Sequence, residues 1–523
     1  MTANPCPEPA VTVGDPVNDR YFNTDHLHAD LKGRSVRGGA VTMTAQAAKF
    51  VLGTGSTMIL ARLLTPEDYG LIAMVTAVTG FVAMFKDMGL SMATVQRAEI
   101  NHGQISTLFW VNVAVSVLLM LAACALAPGI AWFYGEPRLT WITLALAGGF
   151  IFGGLTVQHQ ALLRRQMRFS TLSTIEVSSM VAGILTGVLS ALWGLGYWSL
   201  VWMQLSQALA MALGVWITCR WKPGLPARGS GVRPMLAFGG NLTGFSIVNY
   251  FARNLDNVLI GWSCGSRQLG FYSKAYSLLL LPLQQVNAPI SSVAIPALSR
   301  LQHDPKRYTD YYLKSAGLIV ALTAPLVVFM AVESNEIVTV ILGGQWEGAA
   351  AIFFVLSFAC LVQPAAVTAG WVHVTTGRPY RMLKWGLLNT AVLSAAFISG
   401  LPFGAKGVAS AFSISMLALT FPALWYASQG TAITRKAVVG AVLRPIFIAL
   451  CAALPCTLLR QYVLNTLSPI SSLVWSFLAI STFYISMLLL LFPEYRTLLY
   501  SIYTHIYNNT HYTVSGDKRN LVS

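Results

Sequence analysis

The chain has 523 residues, of which 55% are hydrophobic and only 10% are charged. Soluble domains carry roughly 25% charged residues, so this composition excludes a set of ordinary soluble domains. The net charge of +15 does not indicate nucleic acid as a partner, because the basic residues fall in short runs between hydrophobic segments. The seven cysteines are scattered singly, without metal-ligand spacing, and we expect no metal and no cofactor.

Hydrophobic segments that can cross the ~30 Å hydrocarbon core as helices follow one another along almost the whole chain. They begin after a polar segment, 1–37, which lacks the apolar region of a signal peptide and is expected to be a disordered cytoplasmic tail. A second cytoplasmic tail, 496–523, is expected after the last one. The sequence therefore predicts an all-α polytopic membrane protein with about 14 transmembrane helices. The predicted spans are 41–61, 70–91, 105–134, 139–162, 172–193, 196–219, 235–262, 274–299, 313–333, 349–373, 383–402, 406–427, 438–459 and 470–492.

Lysine and arginine alternate between the predicted loops and indicate the orientation of the chain. Of the 34 basic residues, 26 lie on one side of the fourteen spans, 6 lie on the other, and Lys49 and Arg253 lie inside spans. The side rich in Lys and Arg is the cytoplasmic side. Both termini are then cytoplasmic. An error of one span early in the chain would invert every later loop, so the alternation supports the count.

The spans also fall into two similar halves. When Gly70 is aligned with Gly270, the helix, short polar loop and helix around each come into register. Two further matches keep the same order: Gly135-Glu136 with Gly344-Gln345, and Arg165 and Arg168 with Arg378 and Arg381. Parallel repeats of this kind are a known plan of transporters, with the substrate path between them. We therefore predict two pseudo-symmetric six-helix bundles, 38–222 and 223–430, two additional helices at 431–495, and transport by alternating access.

Charged residues inside spans are the first candidates for a functional site. A charged residue at the centre of a membrane helix costs about 2.5–3.5 kcal/mol and normally faces a bundle interior or a wet cavity. Lys49 and Arg253 lie in the equivalent first helices of the halves and would form a cationic cavity if both point inward. The alternatives are a structural lysine and a local Arg253–Asp256 pair at i,i+3. The substrate-binding candidates are Lys49, Arg253, Asp256, Tyr250 and Gln284; Asp87 and Glu176 are candidates for coupling or gating, with solvation at the membrane interface as their alternative.

The stretch Ala61–Gly70, with the sequence ARLLTPEDYG, is followed by FKDMGL at 85–90, and LGFY occurs at 269–272. These motifs resemble bacterial polysaccharide transporters of the multidrug/oligosaccharidyl-lipid/polysaccharide exporter superfamily, in particular exporters of colanic acid and other exopolysaccharides. The resemblance covers roughly 38–495.

The resemblance implies two V-shaped bundles that flip an undecaprenyl-diphosphate-linked oligosaccharide across the bacterial inner membrane, for exopolysaccharide, capsule or lipopolysaccharide synthesis. It implies as partners the lipid-linked substrate, membrane lipids, and a polysaccharide polymerase with chain-length and export proteins. It also implies basic cavity residues for the diphosphate, a role that maps onto Lys49 and Arg253.

Two other functions are compatible with a polytopic membrane protein. A cation-coupled small-molecule or drug antiporter of the same superfamily would usually have twelve spans. The thirteenth and fourteenth predicted spans therefore favour a transporter of lipid-linked oligosaccharides. A membrane polysaccharide polymerase or glycosyltransferase would need acidic or metal-binding residues on a large extracytoplasmic loop, and the loops on the low-charge side are short. We therefore expect no enzyme. The sequence contains no P-loop motif, which argues against intrinsic ATP hydrolysis as the drive.

Overall fold

The computed structural model describes residues 22, 31–87, 89–97, 100–226, 233–462, 468–493 and 496. Every regular element in these ranges is a helix, and two of the helices, Gly344–Trp346 and Leu401–Phe403, are short 3-10 helices. The α-helices are α1 Leu31–Leu63, α2 Pro66–Ala83, α3 Leu90–Gln96, α4 His102–Tyr134, α5 Arg138–Ala147, α6 Gly149–Arg165, α7 Phe169–Leu192, α8 Trp198–Cys219, α9 Arg233–Leu301, α10 Pro305–Val332, α11 Ser334–Ile341, α12 Glu347–Thr375, α13 Pro379–Gly400, α14 Gly404–Ser428, α15 Arg435–Tyr462 and α16 Pro469–Leu491.

The helices confirm the prediction of an all-α multi-pass membrane protein, because each predicted span coincides with helix. Spans 7 and 8 are the two arms of α9, 233–264 and 266–301, which meet at Gly265. Ten stretches of the described helix are long and apolar enough to cross a membrane, and one of them contains both α13 and α14. The first two helices are less apolar because α1 carries Lys49 in its middle and α2 begins with Glu67 and Asp68.

Two predicted boundaries are wrong. The second span was predicted to run to residue 91, but α2 ends at Ala83 and a series of turns leads to Gly89, whose φ of 67° begins the short helix α3. A polar loop was predicted around 264–272, but only Gly265 leaves the helical region there, with φ 82° and ψ 175°. Polar residues do not interrupt a helix by themselves, whereas a left-handed backbone conformation does.

The described chain forms two compact units. The first contains the described residues up to Ser273 together with Ile341–Gln345, and the second contains Lys274–Val340 and the described residues from Trp346 onward. The division of the repeat into 38–222, 223–430 and 431–495 remains a prediction.

Close helix packing in the first unit depends on small residues on α7. Gly183 and Gly187 are spaced i,i+4, and a methyl group on Gly183 would lie 2.9 Å from the backbone oxygen of Met203 on α8. The same methyl group would lie 2.9 Å from Cβ of Gln207. In a membrane, where helices gain little from hydrophobic burial, such small residues let two helices approach and pack. This packing brings the polar residues of α7 and α8 to one side of the bundle.

In the second unit α12 is the central helix, with Phe353, Leu356 and Ala365 fully or almost fully buried. Hydroxyl pairs join it to α10, and the Tyr312 and Thr368 oxygens are 3.1 Å apart. The Tyr484 hydroxyl on α16 donates to the backbone oxygen of Ala321 at 2.9 Å. Helix α16 is therefore attached to α10 by a buried hydrogen bond.

Candidate functional site

The two charged residues that the sequence assigned to different roles are partners in the structure. Lys49 on α1 donates from Nζ to Glu176 Oε2 on α7 at 2.8 Å, and both side chains are about one quarter exposed. Lys49 lies 14 residues before the end of α1, which corresponds to about 21 Å along the helix. An ion pair at this depth neutralises two charges that would each be costly alone. The substrate-binding candidate and the coupling candidate therefore form one site.

The ion pair lines a cavity of about 550 Å³ inside the first unit. Amide and hydroxyl side chains complete its polar wall: Ser179 on α7, and Gln204 and Gln207 on α8. Gln204 also lines a second cavity of about 260 Å³, together with Thr76 and Thr79 on α2. Two adjoining cavities, which share Gln204, therefore lie within the first unit, and the larger one contains the ion pair. The spacing of Gln204 and Gln207 within an apolar helix was the sequence signal for this wall, and sequence analysis overlooked it.

The helix break after α2, between Ala83 and Leu90, places a further cation, Lys86, against α6. A methyl group on Gly153 of α6 would lie 2.5 Å from Cδ and 2.9 Å from Nζ of Lys86, so this glycine makes room for the lysine. Gly153 lies 12 residues before Arg165 at the end of α6, or about 18 Å along the helix. Within the described ranges, no carboxylate oxygen lies within 4.0 Å of the Lys86 ammonium.

The sequence places Lys86 near the end of the predicted span 70–91, among the basic residues of the cytoplasmic side, and this orientation remains a prediction. The backbone carbonyl of Lys86 accepts a hydrogen bond of 3.3 Å from Asn112 Nδ2 in the first third of α4. Gln158 Nε2 donates to Asn112 Oδ1 at 3.2 Å, and Thr94 donates to Gln158 Oε1 at 3.0 Å. This buried polar chain holds the break within the bundle. The motif FKDMGL, with two charges before a glycine, was the available sequence signal for it.

Three of the candidates, Tyr250, Arg253 and Asp256, lie in the first arm of α9. The Tyr250 hydroxyl donates to the backbone oxygens of Thr76 and Ala77 on α2, at 3.2 and 3.0 Å. Asp256 is almost fully buried and accepts hydrogen bonds from the Tyr272 hydroxyl and from the backbone N–H of Asn257, both at 2.8 Å. The side chain of Arg253 lies outside the described residues, so its pairing with Asp256 and its approach to Lys49 remain predictions.

The remaining two candidates are Asp87 and Gln284. Asp87 accepts hydrogen bonds from the backbone N–H of Ser91 at 2.9 Å and from the Ser91 hydroxyl at 2.5 Å, and so holds the first turn of α3. Gln284 is exposed and belongs to the second unit. The structure thus gives Asp87 a positioning role in the break after α2 and leaves the role of Gln284 a prediction.

Removal of the Tyr272 hydroxyl is expected to destabilise the protein. Tyr272→Phe leaves the buried Asp256 carboxylate with one hydrogen bond fewer, which should lower the free energy of unfolding by about 1–2 kcal/mol. Thermal unfolding of the purified protein measures this loss. Tyr311→Phe is the matched control, because the Tyr311 hydroxyl makes no hydrogen bond with the described residues. Equal unfolding temperatures for the two variants would contradict a stabilising role of the bond.

Comparison with known proteins places this arrangement in a family. Residues 59–351, more than half of the chain, match the family described as polysaccharide biosynthesis protein. The lipopolysaccharide biosynthesis protein WzxC of Escherichia coli (strain K12) is 25% identical over 385 residues, 73% of this chain and 78% of that protein. The succinoglycan biosynthesis transport protein ExoT of Rhizobium meliloti (strain 1021) is 25% identical over 362 residues, 69% of this chain and 73% of that protein.

A solved structure has the same fold. The lipid II flippase MurJ, in an inward closed conformation, superimposes with a TM-score of 0.67, covers 89% of this chain and 100% of its own, and is 14% identical. At that identity the likeness shows the fold alone. Family membership rests on the sequence match, which includes the helix break, Lys86, Glu176 and the second cavity, while Lys49 precedes it. The chain therefore belongs to the polysaccharide biosynthesis protein family.

Proposed function

We propose that the protein flips an oligosaccharide linked to undecaprenyl diphosphate across the bacterial inner membrane, as a step in the synthesis of a surface polysaccharide. The observation that carries this proposal is the pair of adjoining cavities in the first unit, with the Lys49–Glu176 ion pair in the larger one, together with Lys86 beside Gly153 of α6. The relatives whose names specify polysaccharide biosynthesis and transport, and the fold shared with a lipid II flippase, support it.

The chemistry of these groups suits such a cargo. Amide and hydroxyl side chains form the hydrogen bonds that sugar hydroxyls lose when they leave water. The Lys86 ammonium can neutralise part of the charge of a diphosphate in a low-dielectric surrounding. The lipid tail needs no binding site, because it remains in the hydrocarbon layer while the polar head moves.

Glu176 and Lys49 provide an element that can respond to the cargo or to a coupling cation. A paired lysine and carboxylate exchange partners when either an anion or a proton enters the cavity, and the ion pair then opens. In the proposed cycle this exchange accompanies alternating access between the two membrane faces. Both termini are cytoplasmic in this proposal, and the released lipid-linked product would pass to a polysaccharide polymerase with its chain-length and export proteins.

Transport in vesicles tests the proposal. The purified protein is reconstituted into liposomes that contain lipid-linked oligosaccharide extracted from the native host, and an enzyme added outside modifies only the sugars in the outer leaflet. We expect modification to proceed beyond the outer-leaflet fraction in protein-containing vesicles and to stop at that fraction in protein-free vesicles. No movement of the lipid-linked oligosaccharide, together with efflux of small cationic dyes, would favour the antiporter instead.

A further inference from the structure

Two glycines that are equivalent in the sequence repeat make a reciprocal close contact. Gly70 is the fifth residue of α2, and a methyl group on it would lie 1.7 Å from the backbone oxygen of Ser266. Gly270 is the fifth residue of the second arm of α9, and a methyl group on it would lie 1.8 Å from the backbone oxygen of Pro66. Side-chain carbons essentially never come within 3.0 Å of another heavy atom. Because the obstacle is backbone in both cases, neither position accepts a larger residue without moving a helix.

The contact has a local twofold relation. Pro66 and Ser266 are the first residues of their helices, and the first residue of each helix meets the fifth residue of the other at a constant offset of 200. Neither glycine has a positive φ, so conformational freedom does not explain the choice of glycine. The close approach of the two backbones does explain it.

The surroundings of this contact are dry. Leu60, Ala61 and Leu71 on the first pair of helices, and Leu269 on α9, are at most 2% exposed. Gly261 on the first arm of α9 extends the close packing, because a methyl group on it would lie 2.9 Å from Cε1 of Tyr134. Water is therefore excluded where α2 meets the second arm of α9.

A neutral side chain adds to the same closure. Gln345 donates from Nε2 to the backbone oxygens of Ala61 and Leu64, at 2.5 and 2.9 Å. These carbonyls belong to the C-terminal end of α1, where the helix itself offers no donors. The start of α2 is held to its own repeat differently, because Arg138 bonds Glu67 at 2.5 Å and Glu136 at 2.7 Å. Ion pairs thus hold the start of α2 within its repeat, and amide hydrogen bonds from Gln345 hold the end of α1.

We infer that the reciprocal contact of Gly70 and Gly270, with Gln345, is a gate that closes one end of the transport path and opens again in each cycle, and that glycine is required for its closure. This inference rests on the proposed function, since a gate is needed only where cargo passes. Separation of the two glycines leaves no buried charge unpaired at these positions, because neither Gly70 nor Gly270 carries a charged side chain. Because the two sides are equivalent, the first turn of α2 and the first turn of the second arm of α9 can move apart in one step.

Cysteine accessibility measures closure without any substrate. Ala61→Cys is introduced into a variant whose native cysteines are replaced by alanine or serine, and the protein in lipid nanodiscs is treated with a membrane-impermeant maleimide. We expect Gly70→Ala and Gly270→Ala each to increase the labelling rate of the introduced cysteine about tenfold, because the close contact of the two helices then no longer excludes the maleimide from this position. Gly55→Ala on α1 and Gly386→Ala on α13 are matched controls, since a methyl group on either meets no atom within 4 Å.

Polysaccharide export in the native host, after deletion of the chromosomal gene, measures whether closure is needed. We expect both gate variants to lower export about fivefold at unchanged membrane levels, and both control variants to restore it fully. Gln345→Ala removes two hydrogen bonds without adding bulk, so it tests the gate even if the alanine variants fail to fold. It should increase labelling about threefold.

Two outcomes would overturn the gate. One is unchanged labelling in Gly70→Ala, Gly270→Ala and Gln345→Ala; the other is increased labelling with normal export. Failure of the proposed function is distinguishable from both, because it appears in the vesicle assay of the unaltered protein, whereas the labelling experiment contains no lipid-linked oligosaccharide.

Discussion

Lys49→Ala is expected to reduce polysaccharide export about a hundredfold, because it leaves Glu176 as an unpaired carboxylate inside the first unit. Glu176→Gln should lower export by a similar factor, since it leaves the Lys49 ammonium without its ionic partner. Export in the host that lacks the chromosomal gene is the measurement, with the amount of protein in the membrane determined in parallel. An unpaired internal charge also destabilises the protein, so the single variants alone do not separate a functional ion pair from a structural one.

A double variant makes that separation. Lys49→Met with Glu176→Leu replaces the ion pair by apolar side chains, which is often neutral or stabilising for buried pairs. If the pair acts in transport, this variant is as stable as the unaltered protein and still does not export. Restored export in the double variant would show that the pair only supports the fold. Exchange of the two charges, Lys49→Glu with Glu176→Lys, is a further control because it keeps an ion pair but places the carboxylate on α1 and the ammonium on α7.

Lys86→Ala is expected to reduce export about tenfold and, unusually for a substitution inside a protein, to leave the stability unchanged or higher. The reason is that Lys86 has no ionic partner among the described residues, so its removal relieves the cost of a lone cation in the membrane. Export and thermal unfolding of the purified protein are the two measurements. Loss of transport combined with a gain in stability indicates a residue that is present for function.

Two companion variants sharpen the test of Lys86. Gly153→Ala should also lower export, because its methyl group would occupy the space of the Lys86 side chain. Lys306→Ala is the matched control, since this lysine is exposed at the start of α10. Full export by Lys86→Ala would exclude it from the transport path. Full export by Gly153→Ala would show that the lysine can act from another position.

Much of the architecture was predictable because the bilayer acts on the sequence directly. A segment that crosses hydrocarbon must satisfy its backbone hydrogen bonds internally, so apolar segments of about 20 residues form helices whatever surrounds them. Thirteen of the fourteen predicted spans are accordingly helical over nearly their whole length, and the second is helical to Ala83. The errors lie where backbone conformation at a single glycine decides the outcome: Gly89 permits a break that composition did not indicate, and at Gly265 alone the backbone departs from the helix.

The candidate site was less predictable. The cost of charge in a membrane pointed to Lys49, Glu176 and Asp256 from the sequence alone. It did not reveal that Lys49 and Glu176 pair, because 127 residues separate them and only the packing of α1 against α7 brings them together. Nor did it reveal that Lys86 lies beside Gly153, because that contact depends on the end of α2 at Ala83.

The sequence by itself determined the helical class of this protein and the alignment of Gly70 with Gly270, because these depend on local composition and on internal repetition. Its fourteen predicted spans compare with sixteen described α-helices. Only the tertiary structure decided which charges are paired, which cation has no ionic partner among the described residues, and which glycines touch. Those properties depend on distances between segments far apart in the chain, and such distances arise from helix packing, which small residues permit and which hydropathy does not record.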